Sequence, residues 1–274
     1  MKRREFFKSA ALSLAAVSYP SWKGYAADNQ IPIEIPAITG SGEPIAIERK
    51  AIEEFRRNLQ GRLLLPEDDG YDIARLVRNM VIDKRPALIA QCINNDDVIE
   101  SVNFARHYQL LTAVKCGGHS VSGKGTCDDG LIIDLSPLQG TSVNPKTQRI
   151  LITGGSLLSA LDEATLPLGL GTTAGTVSHT GVGGLTLGGG FGRLGRRFGL
   201  TIDNLKSVEI VTADGQLRYA DAEENADLFW GVRGGGGNFG IVTMFEFQLH
   251  PMNPQVVGGR IHYPFSQVKD LLKF

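Results

Sequence analysis

Gly175-Thr176-Val177-Ser178-His179-Thr180-Gly181-Val182-Gly183-Gly184-Leu185-Thr186-Leu187-Gly188-Gly189-Gly190-Phe191-Gly192 places eight glycines in eighteen residues. Glycine loses more backbone freedom on ordering than any other residue, so a long helix or a central strand is a poor reading of this stretch. It reads instead as a loop whose backbone N–H groups lie bare and form a concave, anion-accepting surface. Two shorter clusters flank it, Lys115-Cys116-Gly117-Gly118-His119-Ser120 and Gly234-Gly235-Gly236-Gly237-Asn238-Phe239-Gly240. Of the 34 glycines, 27 lie between Gly117 and Gly240 without a Gly-X-Y period. Collagen is thereby excluded, and the excess belongs to tight turns and to close approaches of backbone to a large ligand.

The rest of the composition is ordinary. Over 274 residues, 42% are apolar and 21% charged, which fits a globular chain and excludes a disordered chain or a coiled coil. A net charge of −1 gives no basic excess for nucleic acid. Three cysteines, Cys92, Cys116 and Cys127, are an odd number and do not read as a disulfide framework. Cys116-x-x-His119 lacks a second ligand pair at metal spacing, so no metal is expected.

Two nucleotide motifs fail on context. Gly118 to Lys124 satisfies seven places of a P-loop, but the eighth, a Ser or Thr that holds magnesium, is Gly125. A turn, Thr126 to Gly130, follows where a helix should begin. Gly235 to Gly240 matches Gly-x-Gly-x-x-Gly, yet the order around it reads helix then strand, the reverse of a dinucleotide fold.

Periodicity predicts helices over 47–58, 71–79, 157–164 (capped by Ser156) and 223–232, and one capped by Asn95 with Val98, Ile99, Val102 and Ala105 inward. Strands are predicted over 87–91, 111–115, 131–135, 149–153 and 241–249, and Asp214-Gly215 marks a hairpin between 207–212 and 216–220. A further strand over 255–262 and a helix over 267–274 are predicted at the end, where the chain looks truncated. Strands mixed with single helices, rather than a regular βαβ series, give an α+β class.

Taken together these segments resemble a known family. Val114 to Ser120 is similar to the flavin-attachment loop of the berberine-bridge-enzyme-like FAD-linked oxidases, of the vanillyl-alcohol-oxidase superfamily. Gly175 to Gly192 is similar to that family's second flavin loop, Phe198 to Leu205 to its Phe-Gly-Leu-Thr-x-Asp-Asn-Leu block, and Asp227 to Thr243 to its third block. The resemblance implies a PCMH-type FAD-binding domain of two α+β subdomains, followed here by only the start of a substrate domain. It divides the chain into 1–27, 28–82, 83–250 and 251–274: leader, lead-in segment, FAD domain and substrate-domain start.

The resemblance further implies FAD bonded covalently through His119, whose imidazole is nucleophilic near neutral pH. Lys115, standing where relatives have arginine, would place charge near the pyrophosphate, with Cys116, Gly117, Gly118 and Ser120 beside the cofactor or core. Gly175, Thr176, Val177, Thr180, Gly183, Gly184, Gly188, Gly189, Gly190 and Gly192 would line the flavin, ribityl and pyrophosphate. Gly240, Ile241 and Val242 would face the adenine. Val177 stands where many relatives have a second attaching cysteine, so one covalent bond is expected. His179 reads either as a contact near the ring or as a loop hydrogen bond.

The expected function is hydride transfer from an alcohol or carbohydrate-like small molecule to the flavin, with oxygen or another electron acceptor as the oxidant. The alternative is an FAD-binding remnant without turnover. Relatives draw the catalytic base from the following domain, so no catalytic residue is assigned. Met1-Lys2-Arg3-Arg4-Glu5-Phe6-Phe7-Lys8, the apolar run Ala10 to Val17 and Tyr25-Ala26-Ala27 read as a signal peptide of twin-arginine type. A periplasmic or secreted protein without a stable membrane anchor is expected.

Overall fold

A computed structural model of the chain describes residues 31–253, 255 and 257–273. The expected leader, 1–27, lies outside them. Within the unit Ile33–Phe274 the strands are β1 (Glu34–Ile38), β2 (Pro44–Glu48), β3 (Arg62–Leu64), β4 (Leu88–Gln91), β5 (Thr112–Lys115), β6 (Leu131–Asp134), β7 (Thr141–Asn144), β8 (Arg149–Thr153), β9 (Leu170–Gly171), β10 (Leu205–Val211), β11 (Leu217–Asp221), β12 (Ile241–Gln248) and β13 (His250–Pro251). The helices are α1 (Arg49–Asn58), α2 (Tyr71–Arg75), α3 (Asn95–His107), α4 (Leu158–Thr165), α5 (Val182–Leu187), α6 (Gly195–Phe198), α7 (Ala226–Val232) and α8 (Val268–Leu271).

Two sheets carry the fold. The first has the order β3-β4-β6-β5, with β4 and β5 both parallel to β6. Its central strand β6 reads Leu-Ile-Ile-Asp and is buried at every position, as a strand covered on both faces must be. Helix α3 makes the crossover from β4 to β5. Asn94 caps it, its Oδ1 accepting the Asp97 N–H at 2.9 Å, one residue before the predicted cap. Phe104 of α3 stacks on Phe55 of α1 with ring centroids 4.1 Å apart.

The second sheet is antiparallel, β11-β10-β12-β8-β7. Its strand β12 alternates as the sequence implies, with Ile241, Thr243, Phe245 and Phe247 buried. Those phenylalanines pack with Ile150, Ile152, Val208, Ile210, Leu158 of α4 and Phe229 of α7. The Asp214-Gly215 hairpin forms as predicted, with Val211 opposite Leu217 and Gly215 at φ +77°.

Some predicted elements are shorter. The helix at 71–79 ends at Arg75, because Leu76 is extended and the next residues turn onto the first glycine loop, where the Arg78 N–H donates to Gly118 O at 2.9 Å. The Arg75 guanidinium ties this end by bonding Asp72 at 2.7 Å and Asp83. Ser156 does not cap α4, since its hydroxyl instead meets Thr153 Oγ1 at 2.8 Å. Helix α7 starts at Ala226 because the Asp221 carboxylate takes the N–H groups of Glu223 and Glu224 in a turn. Among the described residues of 255–262 there is no strand, and the final predicted helix is reduced to α8. Every described residue of 255–262 is exposed, and of 267–273 only Val268 is partly buried.

Phe245 is fully buried between α4, α7 and the sheet. Phe245→Ala is expected to lower unfolding free energy by about 3–5 kcal/mol, whereas Leu217→Ala on the exposed edge strand β11 is expected to stay within ~0.5 kcal/mol. Urea midpoints of the two variants check this; similar shifts would contradict the assignment of the core.

Candidate functional site

Strand β5 delivers the first glycine loop to the carboxyl end of the parallel strands, where open α/β sheets bind ligands. Lys115 is opposite Asp134 in the β5–β6 register. Its buried ammonium donates to Ala74 O and lies 3.7 Å from Asp134 Oδ2. The charge expected at the pyrophosphate is therefore turned into the protein and partnered there. Beyond it, the first and second loops cross backbone to backbone. A Cβ on Gly117 would overlap Gly181 N, and one on Gly181 would lie 2.5 Å from Gly117 N and overlap Cys116 Sγ. Cys116 sits inside this crossing, its Sγ donating to Ser156 O at 3.6 Å. Burial pushes its thiol pKa up.

His119 lies two residues beyond Gly117 and is half-buried. Its Nε2 is 2.7 Å from Nδ1 of His179, two residues before Gly181, with ring centroids 4.7 Å apart. Burial first, then the nearby His179 and Arg78, push the His119 pKa below its ordinary value. Ser120 closes the loop, its Oγ accepting the Lys124 N–H at 3.1 Å and its carbonyl accepting the Gly123 N–H at 3.1 Å.

The remaining glycines separate by what surrounds them. A Cβ on Gly190 or Gly192 would collide with Thr201 or with the Ala174 carbonyl, and one on Gly175 would lie 2.7 Å from both Leu158 and Leu185. A Cβ on Gly183 would lie 3.0 Å from Gly154 O, while one on Gly188 would make only an ordinary contact, 3.4 Å, with Gly184 O. Apart from Gly188, these have a packing reason to lack a side chain. Gly184 does not: a Cβ there meets no atom within 4 Å, whereas Gly189, also in open space, needs glycine for its φ of +103°. Gly184 opens onto a cleft of about 340 Å³, lined also by Gly175, Thr176, Val177, Thr180, Leu185, Gly188, Gly190 and Phe191. A larger cleft, about 440 Å³ between α1 and α3, shares none of these residues.

Gly240, at φ +143°, turns the chain into β12. Ile241 and Val242 are buried and pair with Val211 and Ile210, while the ladder to β8 begins only at Met244. Ile241 to Thr243, the end of the third block, thus form part of the second sheet, and Gly240, Ile241 and Val242 do not line the cleft. Arg78, Asn79 and Phe191 were not legible as site residues. Arg78 and Asn79 reach the first loop through tertiary bonds, Asn79 Nδ2 donating to Val121 O at 2.8 Å, and Phe191 sits inside the glycine motif as an exposed aromatic. Among the described residues no group of three His, Cys, Asp or Glu side chains is placed to hold a metal, and the three cysteines are free.

Residues 86–221 match the family model described as FAD binding domain. An FAD-linked oxidoreductase of Dictyostelium discoideum is 37% identical over 224 residues, 82% of this chain and 46% of that protein. BBE-like 1 of Physcomitrella patens superposes with a TM-score of 0.67 at 28% identity, covering 73% of this chain and 44% of that one. The chain belongs to the FAD-binding-domain family of these FAD-linked proteins. (R)-6-hydroxynicotine oxidase of Paenarthrobacter nicotinovorans is 35% identical over 74% of this chain and 44% of its own length. Among solved structures, 6-hydroxy-D-nicotine oxidase of Arthrobacter nicotinovorans superposes with a TM-score of 0.69 at 36% identity, covering 70% of this chain and 43% of that one. Xylooligosaccharide oxidase of Myceliophthora thermophila gives 0.68 at 30% identity, covering 73% and 43%. The chain spans less than half the length of these relatives.

The residues present fit FAD. Gly184 leaves open the space that a side chain would fill. Beside it the cleft is walled by Gly175, Gly188 and Gly190, so that backbone rather than side chains faces the open space.

His119 is expected to titrate below the ordinary histidine value of ~6.5, with Arg78→Gln moving the midpoint upward because a repelling positive charge is removed. Side-chain NMR against pH reads both; a midpoint at or above the ordinary value would contradict the environment described.

Proposed function

We propose that the whole protein is an FAD-linked oxidase or dehydrogenase that removes a hydride from a carbon of an alcohol or carbohydrate-like substrate, with its flavin bonded to His119. The observation that supports this best is the crossing at Gly117 and Gly181, which brings His119 to the second flavin loop. When bound, FAD supplies the two-electron acceptor that side chains lack.

This chain's residues bind and orient. Gly184 and Gly189 admit the cofactor against bare backbone, while Gly117 and Gly181 lock the two loops together. His119, whose pKa burial and then the basic His179 and Arg78 push down, offers a ring-nitrogen lone pair for one covalent bond, with Val177 offering no second nucleophile. The substrate hydroxyl proton needs a base within hydrogen-bond reach, and none is assigned among the described residues. The relatives' names include both a hydroxynicotine oxidase and a xylooligosaccharide oxidase, which supports small organic substrates as the class. Oxygen or another small acceptor would take the electrons onward. Arg3-Arg4 and the apolar run after them support export by the twin-arginine route. No helix among the described residues is long and apolar enough to cross a membrane.

Acid precipitation of the purified chain is expected to give a yellow pellet whose colour maps to the peptide containing His119; His119→Ala should release the flavin into the supernatant. Gly184→Ala should hold or raise the thermal midpoint, since Gly184 lies within α5 and its Cβ meets no protein atom, while weakening FAD binding about tenfold, or 1.4 kcal/mol. Unchanged FAD affinity in fluorescence titration would remove Gly184 from the cofactor seat.

A further inference from the structure

We propose that His179 is the positioning residue for flavin attachment: its Nδ1 accepts the Nε2–H of His119, which leaves the lone pair on His119 Nδ1 as the attacking atom. The inference rests on the reading that His119 carries the flavin. The two rings are sixty positions apart in the chain and meet at 2.7 Å. Each stands two residues from its own crossing glycine, so the contact that forbids a side chain at Gly117 and Gly181 also sets their separation.

Both loops are held from the backbone. Gly118 O accepts from Arg78 N at 2.9 Å; Ser178 O and Thr180 O, on either side of His179, accept from Ser159 and Leu158 at the start of α4, each at 2.9 Å. A ring-nitrogen pair at this distance needs one N–H and one lone pair. If His179 donated, His119 would carry its proton on Nδ1 and its only lone pair would already be engaged. Only the opposite arrangement leaves a nucleophilic nitrogen. The charged and titratable groups acting on His119 are His179 and Arg78, both basic, so the neutral ring is favoured. His179 is exposed, and a hydrogen bond open to water adds little to stability, which argues for a chemical use of the pair.

The step balances as follows. The Nδ1 lone pair forms the bond to the methyl carbon at position 8 of the isoalloxazine, and that carbon loses one proton to solvent. The Nε2 proton passes to His179 Nδ1 and on to solvent. The two electrons released remain on the isoalloxazine until dioxygen removes them with two protons as hydrogen peroxide.

The test uses the full chain, prepared without flavin and mixed with saturating FAD, with acid-stable flavin followed against time. His179→Ala is expected to slow attachment about 100-fold, and His179→Gln, which keeps an acceptor, to recover part of that rate. In the flavin-free wild-type chain, ¹⁵N imidazole NMR should show His119 protonated on Nε2. Attachment at the wild-type rate in His179→Ala, or the Nδ1–H form of His119, would overturn the inference while leaving His119 as the attachment residue. A wild-type chain that releases all its flavin on acidification would overturn both.

Discussion

At Gly117 and Gly181 two loops from separate parts of the chain pass so closely that neither can carry a Cβ. Glycine is the residue that permits such an approach, at the cost of more backbone entropy than any other. The contact sets where β5 releases the chain, where α5 begins and how His119 faces His179. Without it, the glycine segments would be two unrelated turns. With it, the first loop is held against the second, which lines the cleft.

The sheets hold that crossing in place. Parallel pairing of β5 with β6 puts Lys115 opposite Asp134 and buries both. A buried pair of this kind is costly to break by removing one partner, so it fixes the exit direction of the first loop. The second sheet buttresses the other side, where Gly154 and Gly155, just after β8, pack against the carbonyls of Val242 and Leu135. Burial, then the basic His179 and Arg78, disfavour the charged form of His119.

Much of this was legible in the sequence because the signals are local. The alternation over 241–249 and the Asp214-Gly215 turn each depend on neighbours within a few residues, and each appears where expected; the stretch 175–192, read as a loop, instead holds the short helix α5 between its turns. The direction of Lys115 was not legible, since it depends on a strand partner nineteen positions away. Helix 71–79 was misjudged because Arg78 bonds Gly118, a tertiary contact that outweighs local propensity. The roles of the glycines also needed coordinates: a composition count cannot separate Gly192, which packs on Ala174, from Gly184, which faces open space. His179 could be read two ways from sequence, and the structure shows the hydrogen bond is made to His119 itself.

The central claim is that this crossing builds a flavin seat with His119 at its edge. A crystal structure of the full chain grown with FAD tests it most directly. Density for the flavin beside Gly184 and Gly189, continuous with the His119 side chain and leaving the Gly117–Gly181 contact unchanged, is the result the account expects. Flavin density elsewhere, or loops that separate to admit it, would contradict it.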